Sequence, residues 1–520
     1  MKKLKLTIAL IALSFLAVTV SCKKKTDEQK KLEAKGMSFD STQVATFLTK
    51  HPDFKALEPQ LRELYRKHNY NFVWYDDGGR NDFAEVLYNK TNQIQAEGVP
   101  TAIPYKDQLS DLFAESDNKD GNADKDLLIS SMYFFYTKKV LEGVDPTKSK
   151  QTGWYLPRDK VSYVDYLDNL MKDPDLIKKD VKENIGQYYN LRKGLQKYRD
   201  IQKKGGWSAI TLPEGKKSLK VGDSAAAVAQ LRKRLFITGE LKSDSGKSIF
   251  DEELKAAIQA YEKKHNREGS TITADLVKEL NVPVEERIKT IVVNMERCRW
   301  IDPDVMNSKE LIAVNIPSYR VQYIRDGKPV LISNVVVGKE LNKTVVFSGQ
   351  MSYLVFSPYW NIPKSIIEKE IKPGMAANKN YLEQHNMEWN NGLVRQKPGG
   401  TNSLGLVKFM FPNTNNIYLH DTPAKGLFNK DDRALSHGCV RVEKARDLAV
   451  AILKDDKNWT PQKIDAAMHA GKEQNYALKR KIPVYIAYFT AWANEDGDVS
   501  FYNDVYNRDK RLAHLLYNEK

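Results

Sequence analysis

The chain has 520 residues, of which 41% are hydrophobic and 10% aromatic, and it carries a formal net charge of +15. Its length exceeds that of one ordinary domain, and its composition excludes a wholly disordered or fibrous protein. The basic residues are scattered and no nucleic-acid-binding motif is present. The charge therefore predicts attraction to an anionic polymer, wall or membrane surface, with no nucleic-acid partner.

The N-terminus has the pattern of an export signal. Basic residues at positions 2–5 precede an apolar stretch over 6–20 that is too short for an ordinary membrane-spanning helix. A small residue followed by Cys22 and three lysines resembles a bacterial lipoprotein cleavage site. We expect residues 1–21 to be a lipoprotein-type signal peptide and Cys22 to carry a lipid anchor, on the periplasmic side of the cell envelope. An uncleaved N-terminal anchor, or a plain signal peptide with an incidental Cys, is the alternative.

The next part of the chain is predicted to be helical. Residues 22–37 are charged and poor in apolar side chains, which predicts a flexible tether. Over 38–205 apolar residues recur at helical spacing, most clearly at Leu127–Leu141 and Tyr188–Ile201. We find no cluster of catalytic residue types there, so a packing and positioning role is expected.

Residues 215–283 contain three short amphipathic stretches, with Leu219-Lys220-Val221-Gly222-Asp223 near their start. They resemble the small three-helix peptidoglycan-binding domain found beside many wall hydrolases and transpeptidases. A helical module without a ligand is the alternative, because a fold does not fix a function.

After a predicted connecting helix at 284–303, the pattern over 304–493 changes to strands. Gly and Asn/Asp punctuation, as at Asp326-Gly327, predicts hairpins, and the short strands together predict a β-rich sandwich or barrel. A stretch of helical character at 361–400 interrupts the strands and is placed to cap a cleft. Residues 494–520 are predicted to be a polar C-terminal segment. The strands are expected at Leu311–Ile316, Tyr319–Arg325, Val330–Val337, Met351–Val355, Ile417–Leu419 and Val484–Thr490.

One short stretch brings His420, His437 and Cys439 together, although the chain has only three cysteines. A thiolate is the reactive form of Cys, and a nearby imidazole that takes its proton is the usual activator. Gly438 permits a tight turn, and the N–H groups of Gly438 and Cys439 can hold an oxyanion. Apolar spacing over Val440–Leu453 predicts a helix, so Cys439 would stand just ahead of a helix N-terminus, where the dipole favours a thiolate.

The same residue types also occur in buried cores and in zinc sites. A lone Cys is most often a buried apolar residue, which is the role expected for Cys298. Two His and one Cys are legitimate zinc ligands, but a fourth ligand or a paired spacing is missing. The pattern favours a nucleophile site with no metal and no cofactor.

A family resemblance rests on several sequence blocks that match in order. The string S-H-G-C-V-R-V at 436–442, with H-D-T-P at 420–423, resembles the signature of the L,D-transpeptidase (YkuD-type) catalytic family. The blocks R-Q-K-P-G-G-T-N-S-L-G and K-F-M-F-P-N are similar to the larger YcbB-like branch, and 71–75 and 142–146 resemble its scaffold domain. The resemblance implies an α+β multidomain protein: a helical scaffold, a peptidoglycan-binding-like domain, and a β-sandwich catalytic domain whose insertion forms a cap.

The resemblance also implies a substrate, a peptidoglycan tetrapeptide stem cleaved before its terminal D-Ala. Cys439 would form a thioacyl-enzyme with His420 as base, and a neighbouring stem amine would accept the acyl group to give a 3-3 cross-link. Water as acceptor would give an L,D-carboxypeptidase, and a protein amine would give protein anchoring. A papain-like protease is disfavoured because its Cys precedes its His. A non-catalytic peptidoglycan-binding scaffold would not need to keep His420 and Cys439 together.

Further residues near the motif are assigned supporting roles. His437 would support Cys439, and Asp421 or a nearby carbonyl would orient His420. Arg441 is suited to bidentate contact with a substrate carboxylate. Tyr418 is expected to face away from His420, towards the core. The residues expected to contact substrate or line the cleft are Arg441, Tyr418, Asp421, Ser436, Trp360 and Asn361.

Overall fold

The computed structural model describes residues 37–115, 121–156, 161–172, 184–306 and 308–518. The protein is of the mixed α+β class, with helices dominating the first half and a large β-sheet the second, as predicted. It divides into two compact units: one runs to Val86 and includes Pro104–Met132, and the other contains Leu87–Ile103 and the chain from Tyr133 on. The predicted signal peptide and Cys22 lie outside the described residues.

Short loops separate the helices of the N-terminal half. The helices are Thr42–Lys50, Glu58–Lys67, Asp82–Asn92, Lys106–Ala114, Ala123–Thr137, Pro146–Gln151, Tyr163–Lys172 and Gly186–Lys203, with shorter turns at Pro52–Leu57, Ile94–Glu97 and Lys138–Glu142. In the same half of the chain, strands β1 (Tyr75–Asp76) and β2 (Gly79–Arg80) pair as a two-stranded antiparallel ribbon. The predicted helices at 127–141 and 188–201 are confirmed, with ends that differ by two to four residues.

Asp126 is the buried polar centre of the first unit. Its carboxylate accepts hydrogen bonds from the Tyr65 hydroxyl at 2.5 Å and from the N–H groups of Val73 and Trp74 at 3.1 and 2.9 Å. Burial nevertheless raises the pKa of Asp126 to about 6, because the charged form loses its hydration.

The predicted 38–205 domain is divided in the structure. Helix Gly186–Lys203 buries Tyr188, Leu191 and Leu195 in the same apolar core as the connecting helix Val284–Arg299. The apolar face of this helix is therefore covered by later parts of the chain, and sequence order alone does not mark the boundary.

The region predicted at 215–283 contains three helices around an apolar core of its own. Its helices are Ala226–Thr238, Glu252–Lys264 and Ala274–Leu280, and its ribbon pairs β3 (Ser218–Leu219) with β4 (Ile272–Thr273). The side chains of Asp251 and Thr273 accept the N–H groups of Leu254 and Leu276, which caps the second and third helices.

A nine-stranded sheet fills the C-terminal half. Its strands are β5 (Glu310–Asn315), β6 (Arg320–Arg325), β7 (Lys328–Gly338), β8 (Phe347–Phe356), β12 (Val407–Met410), β13 (Leu419–His420), β14 (Ala434–Ser436), β15 (Val440–Val442) and β16 (Gln474–Ala487). Their order is β14-β7-β15-β13-β12-β8-β16-β5-β6, and β7 also pairs with β6, so the sheet returns on itself. The hairpin predicted at Asp326-Gly327 joins β6 to β7, and both turn residues have positive φ, 48° and 74°. The helices of this half are Pro303–Met306, Ala445–Leu453, Pro461–Met468 and Asp509–Asn518.

The insertion predicted at 361–400 has a small apolar core of its own, which includes Ile362, Ile366 and Val394. The sequence predicts only helices here, but the structure adds a three-stranded sheet. Its strands are β9 (Trp360–Asn361), β10 (Met387–Asn390) and β11 (Leu393–Gln396), and its helical turns are Lys364–Ile366, Ile367–Ile371, Lys372–Ala377 and Tyr381–Gln384. We call this segment the capping insertion.

The predicted polar C-terminal segment at 494–520 contains a strand and a helix. Strand β17 (Ala491–Ala493) pairs with β18 (Val499–Phe501) across its first residue. The last helix buries Leu512 and Leu516. These widely spaced apolar residues are a weak sequence signal, so the sequence does not predict this helix.

Candidate active site

The register of three neighbouring strands places the site on one face of the sheet. Strand β13 runs parallel to β15, with Leu419 opposite Val440 and His420 opposite Arg441. Leu419 and Val440 are fully buried in the core, so the alternate residues point to the other face. Cys439 immediately precedes β15, and Val440 N–H donates to the Tyr418 carbonyl at 3.1 Å. The predicted nucleophile therefore lies beside Tyr418, two residue pairs along the strands from His420 and on the same face.

The Cys439 thiol is half-buried and donates to the carbonyl of Asn416, with Sγ 3.7 Å from that oxygen. Burial raises the pKa of the thiol. The Tyr418 N–H and hydroxyl act in the opposite direction, as do the positive charges of Lys408 and Arg441. Since burial dominates, the resting group is a thiol, and the ionised sulfur expected from the sequence is not its ground state.

His420 is buried, and its Nδ1 lies 2.5 Å from the backbone carbonyl oxygen of Asp421. A carbonyl can only accept, so this contact fits the tautomer with the proton on Nδ1 and leaves Nε2 as the basic nitrogen. Burial, and then the charge of Arg441, lower the pKa of His420 to about 3. The imidazole is therefore neutral at physiological pH and able to accept a proton at Nε2.

The loop before the thiol is held by its own hydrogen bonds. Gly438 has φ 122°, which favours glycine, and its N–H donates to Ser436 Oγ at 3.1 Å. Ser436 Oγ donates in turn to the Cys439 carbonyl at 2.6 Å, and the Gly438 carbonyl accepts from Thr344 Oγ1 at 2.8 Å. The Gly438 N–H predicted to hold an oxyanion is thus already engaged. Within the described chain, the Cys439 N–H makes no hydrogen bond and is the better oxyanion donor.

Three residues that were predicted to contact substrate have side chains that differ from the prediction in partner or orientation. Ser436 is buried, and its hydroxyl makes hydrogen bonds within the loop that carries Cys439. The Asp421 side chain accepts from Leu406 N–H at 3.0 Å and from Lys425 Nζ at 2.7 Å, so the Asp421 carbonyl, and not its carboxylate, faces His420. Tyr418 does not face away from His420: their ring centroids are 5.7 Å apart. Residues two apart on a strand project to the same face, and the prediction misapplied this period.

The remaining predicted residues lie on or next to the capping insertion. His437 is exposed, and its Nε2 lies 3.0 Å from Oε1 of Glu370 in that insertion. Trp360 packs against the core of the insertion, and Asn361 is exposed on β9 opposite Arg395. Within the described residues, the Cys439 thiol hydrogen-bonds to the Asn416 carbonyl and to none of these three side chains.

Lys408 was missed by the sequence analysis. It lies on β12 directly opposite His420, and its Nζ is 4.0 Å from the centroid of the Tyr418 ring. The available signal was a lysine between Val407 and Phe409, two fully buried residues in a strand. A lysine is almost never fully buried unless it is paired. Lys408 should therefore point to the face of the sheet opposite Val407 and Phe409, which makes it a candidate for a functional role.

The predicted helix directly after Cys439 is wrong. Residues Val440–Val442 are a strand, and the helix begins only at Ala445. Cys439 therefore does not stand directly ahead of a helix N-terminus. The alternating Val residues fit both a helix and a strand, and pairing with β7 and β13 decides between them. Cys298 is fully buried, as predicted, and burial raises the pKa of its thiol strongly.

Within the described part of the chain, no group of three or more His, Cys, Asp or Glu side chains is arranged to hold a metal ion. Among the same residues, no helix has both the length and the apolar character needed to cross a bilayer.

Comparisons with known proteins place two regions of the chain in families. Residues 309–464 match the family model described as the L,D-transpeptidase catalytic domain (YkuD), and residues 59–195 match the one described as the Scaffold domain. A curated Haemophilus influenzae protein described as "Putative L,D-transpeptidase" is 37% identical over 243 residues, covering 43% of this chain and 48% of that protein. The chain therefore spans about half the length of this curated relative.

Solved structures of L,D-transpeptidases are also similar to parts of the chain. One from Mycobacterium smegmatis has 12% identity and a TM-score of 0.21, covering 34% of this chain and 58% of that one. One from Stackebrandtia nassauensis has 13% identity and a TM-score of 0.21, covering 53% and 97%. Residues 309–464 of this chain are an L,D-transpeptidase (YkuD) catalytic domain, preceded by a Scaffold domain at residues 59–195.

Proposed function

We propose that the protein is an L,D-transpeptidase that forms 3-3 peptidoglycan cross-links through a thioacyl group on Cys439. The observation that carries this proposal is the strand register that puts Cys439 beside Tyr418 and two residue pairs from His420, on the same face of the sheet. A neutral thiol next to a neutral imidazole with a basic Nε2 is suited to acyl transfer.

The Sγ–C bond to the stem carbonyl forms as the thiol proton passes to Nε2 of His420, since neither group is charged at rest. The Cys439 N–H is placed to donate to the oxygen on which negative charge develops. The C–N bond to D-Ala then breaks, and Nε2 returns the proton to the leaving nitrogen.

The second half-reaction restores the enzyme. The side-chain amine of a neighbouring stem attacks the thioacyl carbonyl, Nε2 takes a proton from that amine, and the sulfur leaves and recovers a proton. Water as acceptor would give an L,D-carboxypeptidase, and a protein amine would give anchoring of that protein to the wall. The thioacyl intermediate is common to all three outcomes.

We also propose that the protein works on the periplasmic side of the envelope as a lipoprotein anchored through Cys22. The sequence pattern at residues 2–25 supports this location. Membrane fractionation of the wild type and Cys22→Ser tests it: the variant is expected in the soluble fraction, and unchanged membrane association would contradict the anchor.

The enzymatic proposal is tested with a disaccharide-tetrapeptide and mass spectrometry. Wild type is expected to release D-Ala and form dimers, and Cys439→Ala to do neither. Cys298→Ala is the matched control, since it removes the other described thiol from a buried position. Hydrolysis without dimers would support the carboxypeptidase instead, and full turnover by Cys439→Ala would exclude the thioacyl mechanism.

A further inference from the structure

A row of positive side chains crosses the face that carries the nucleophile. Lys408 on β12 is opposite His420 on β13, and His420 is opposite Arg441 on β15. Side chains paired directly across neighbouring strands share a face, so the two cations flank His420 on either side. Both act on the sulfur of Cys439, because their charges lower its pKa.

The Lys408 side chain extends over the ring of Tyr418, which lies beside the nucleophile. Its Nζ lies 4.0 Å from the centroid of the Tyr418 ring, in the cation–π range. The hydroxyl of the same tyrosine is close enough to Cys439 to affect its pKa. Lys408 is half-buried, and burial lowers its pKa.

Among the described residues, no Asp or Glu oxygen forms an ion pair within 4.0 Å of Lys408 or Arg441. The charge of Glu473 opposes the lowering of the Lys408 pKa by burial, but Glu473 Oε2 accepts the Tyr359 N–H at 2.8 Å. Nε of Arg441 is buried without any hydrogen-bond acceptor. Two buried arginines of this unit, by contrast, are paired with carboxylates: Arg297 with Asp509 at 2.7 Å and Arg299 with Glu296 at 2.8 Å. Desolvated charges are stabilised by such partners, so Lys408 and Arg441 are available to an anion from outside the chain.

We propose that Lys408, together with Arg441, holds the C-terminal carboxylate of the donor stem beside Cys439. This inference rests on the proposed function and names the group that the site recognises. In a tetrapeptide stem the terminal carboxylate is attached to the Cα that follows the scissile nitrogen, so it must lie close to the attacked carbonyl. The carboxylate keeps its charge throughout and departs with the D-Ala amine, which takes its proton from Nε2 of His420.

The first test does not depend on turnover. Iodoacetate and iodoacetamide both alkylate the thiolate, so the ratio of their rates is insensitive to the thiol pKa and reports attraction of an anion to the site. We expect the iodoacetate-to-iodoacetamide ratio at Cys439, measured by peptide mass mapping, to fall about tenfold in Lys408→Met. Lys408→Arg should preserve most of the ratio. Lys430→Met, which removes an equal charge from an exposed position, should leave it unchanged.

The second test uses the donor itself. We expect wild type to prefer the tetrapeptide acid over its C-terminal amide in kcat/KM, and Lys408→Met to lose at least about tenfold of that preference. A purely structural role would lower both rates together and leave the preference intact. Thermal melting of each variant verifies folding.

The outcomes separate this inference from the proposed function. If both donors turn over and neither ratio changes in Lys408→Met, the carboxylate receptor is refuted while the transpeptidase stands. If no donor turns over, the proposed function fails, and an unchanged alkylation ratio would then overturn the anion-binding role of Lys408 as well.

Discussion

Oε1 of Glu370 in the capping insertion lies 3.0 Å from Nε2 of His437, two residues before the proposed nucleophile. This contact joins the insertion to the loop that carries Cys439. Both side chains are exposed, so the pair contributes at most about 1 kcal/mol to stability. It can nevertheless set how often the insertion moves away from the loop.

The first prediction is that Glu370→Gln increases hydrogen exchange over residues 364–377 and leaves the melting temperature nearly unchanged. Weakening one exposed contact loosens the insertion, and the separate apolar core of the insertion keeps it folded. The matched control is Glu368→Gln, which loses only an ion pair with Lys372 inside the insertion, at 2.7 Å. Equal exchange in the two variants would show that the His437 contact does not restrain the insertion.

The second prediction concerns the pH dependence of alkylation. Burial raises the pKa of the Cys439 thiol above its ordinary value of 9.0, and the neighbouring imidazole, with a pKa of about 3, is not a cation at neutral pH. The iodoacetamide rate at Cys439 should therefore keep rising with pH beyond 9. An inflection below pH 7 would reveal a thiolate–imidazolium pair and contradict the neutral resting site.

The third prediction assigns Ser436 a positioning role. Its hydroxyl links the Gly438 N–H to the Cys439 carbonyl, at 3.1 and 2.6 Å. In Ser436→Ala both groups lose a buried partner, which costs roughly 1–3 kcal/mol of unfolding free energy. We expect kcat for D-Ala release to fall at least about tenfold with little change in KM, because the thiol is displaced and the binding face is intact. A rise in KM at unchanged kcat would instead indicate direct substrate contact.

The fourth prediction concerns the first unit. Folding raises the pKa of Asp126 from 3.8 to about 6, so between these values the folded protein binds more protons than the unfolded chain. The free energy of unfolding should therefore fall as pH rises from about 4 to 6, by up to about 3 kcal/mol from this group, and level off above. Urea unfolding of Asp126→Asn should lack this slope. Asp124→Asn, on the same helix but exposed, should retain it.

The sequence motif predicts Cys439 as nucleophile and His420 as base, because a thiol and an imidazole at that spacing are informative by residue type alone, and the strand register places the two residues on one face of the sheet. The positions of their neighbours depend on strand register, which residue type does not encode. Tyr418 was assigned to the wrong face through an error in the strand period. Lys408 lies on a strand whose alternation of buried and half-buried residues is visible in the sequence, but only its pairing with β13 brings it to the thiol.

The fold was predictable where the periodicity is strong. The long helices and the hairpin at Asp326-Gly327 follow from apolar spacing and turn chemistry. The short strands β10 and β11, the strand after Cys439 and the C-terminal hairpin could not be predicted, because three or four residues do not define a period. Their hydrogen-bonding partners come from distant parts of the chain, and these pairings decide their structure.

The acceptor that fixes the tautomer of His420 is a main-chain oxygen, that of Asp421. A point substitution at position 421 changes the side chain but leaves this backbone oxygen in place, so it does not remove the acceptor that orients Nε2. A carbonyl acceptor also places no negative charge next to Nδ1. A protonated His420 should therefore release the proton from Nε2 more readily than an imidazole that is hydrogen-bonded to a carboxylate.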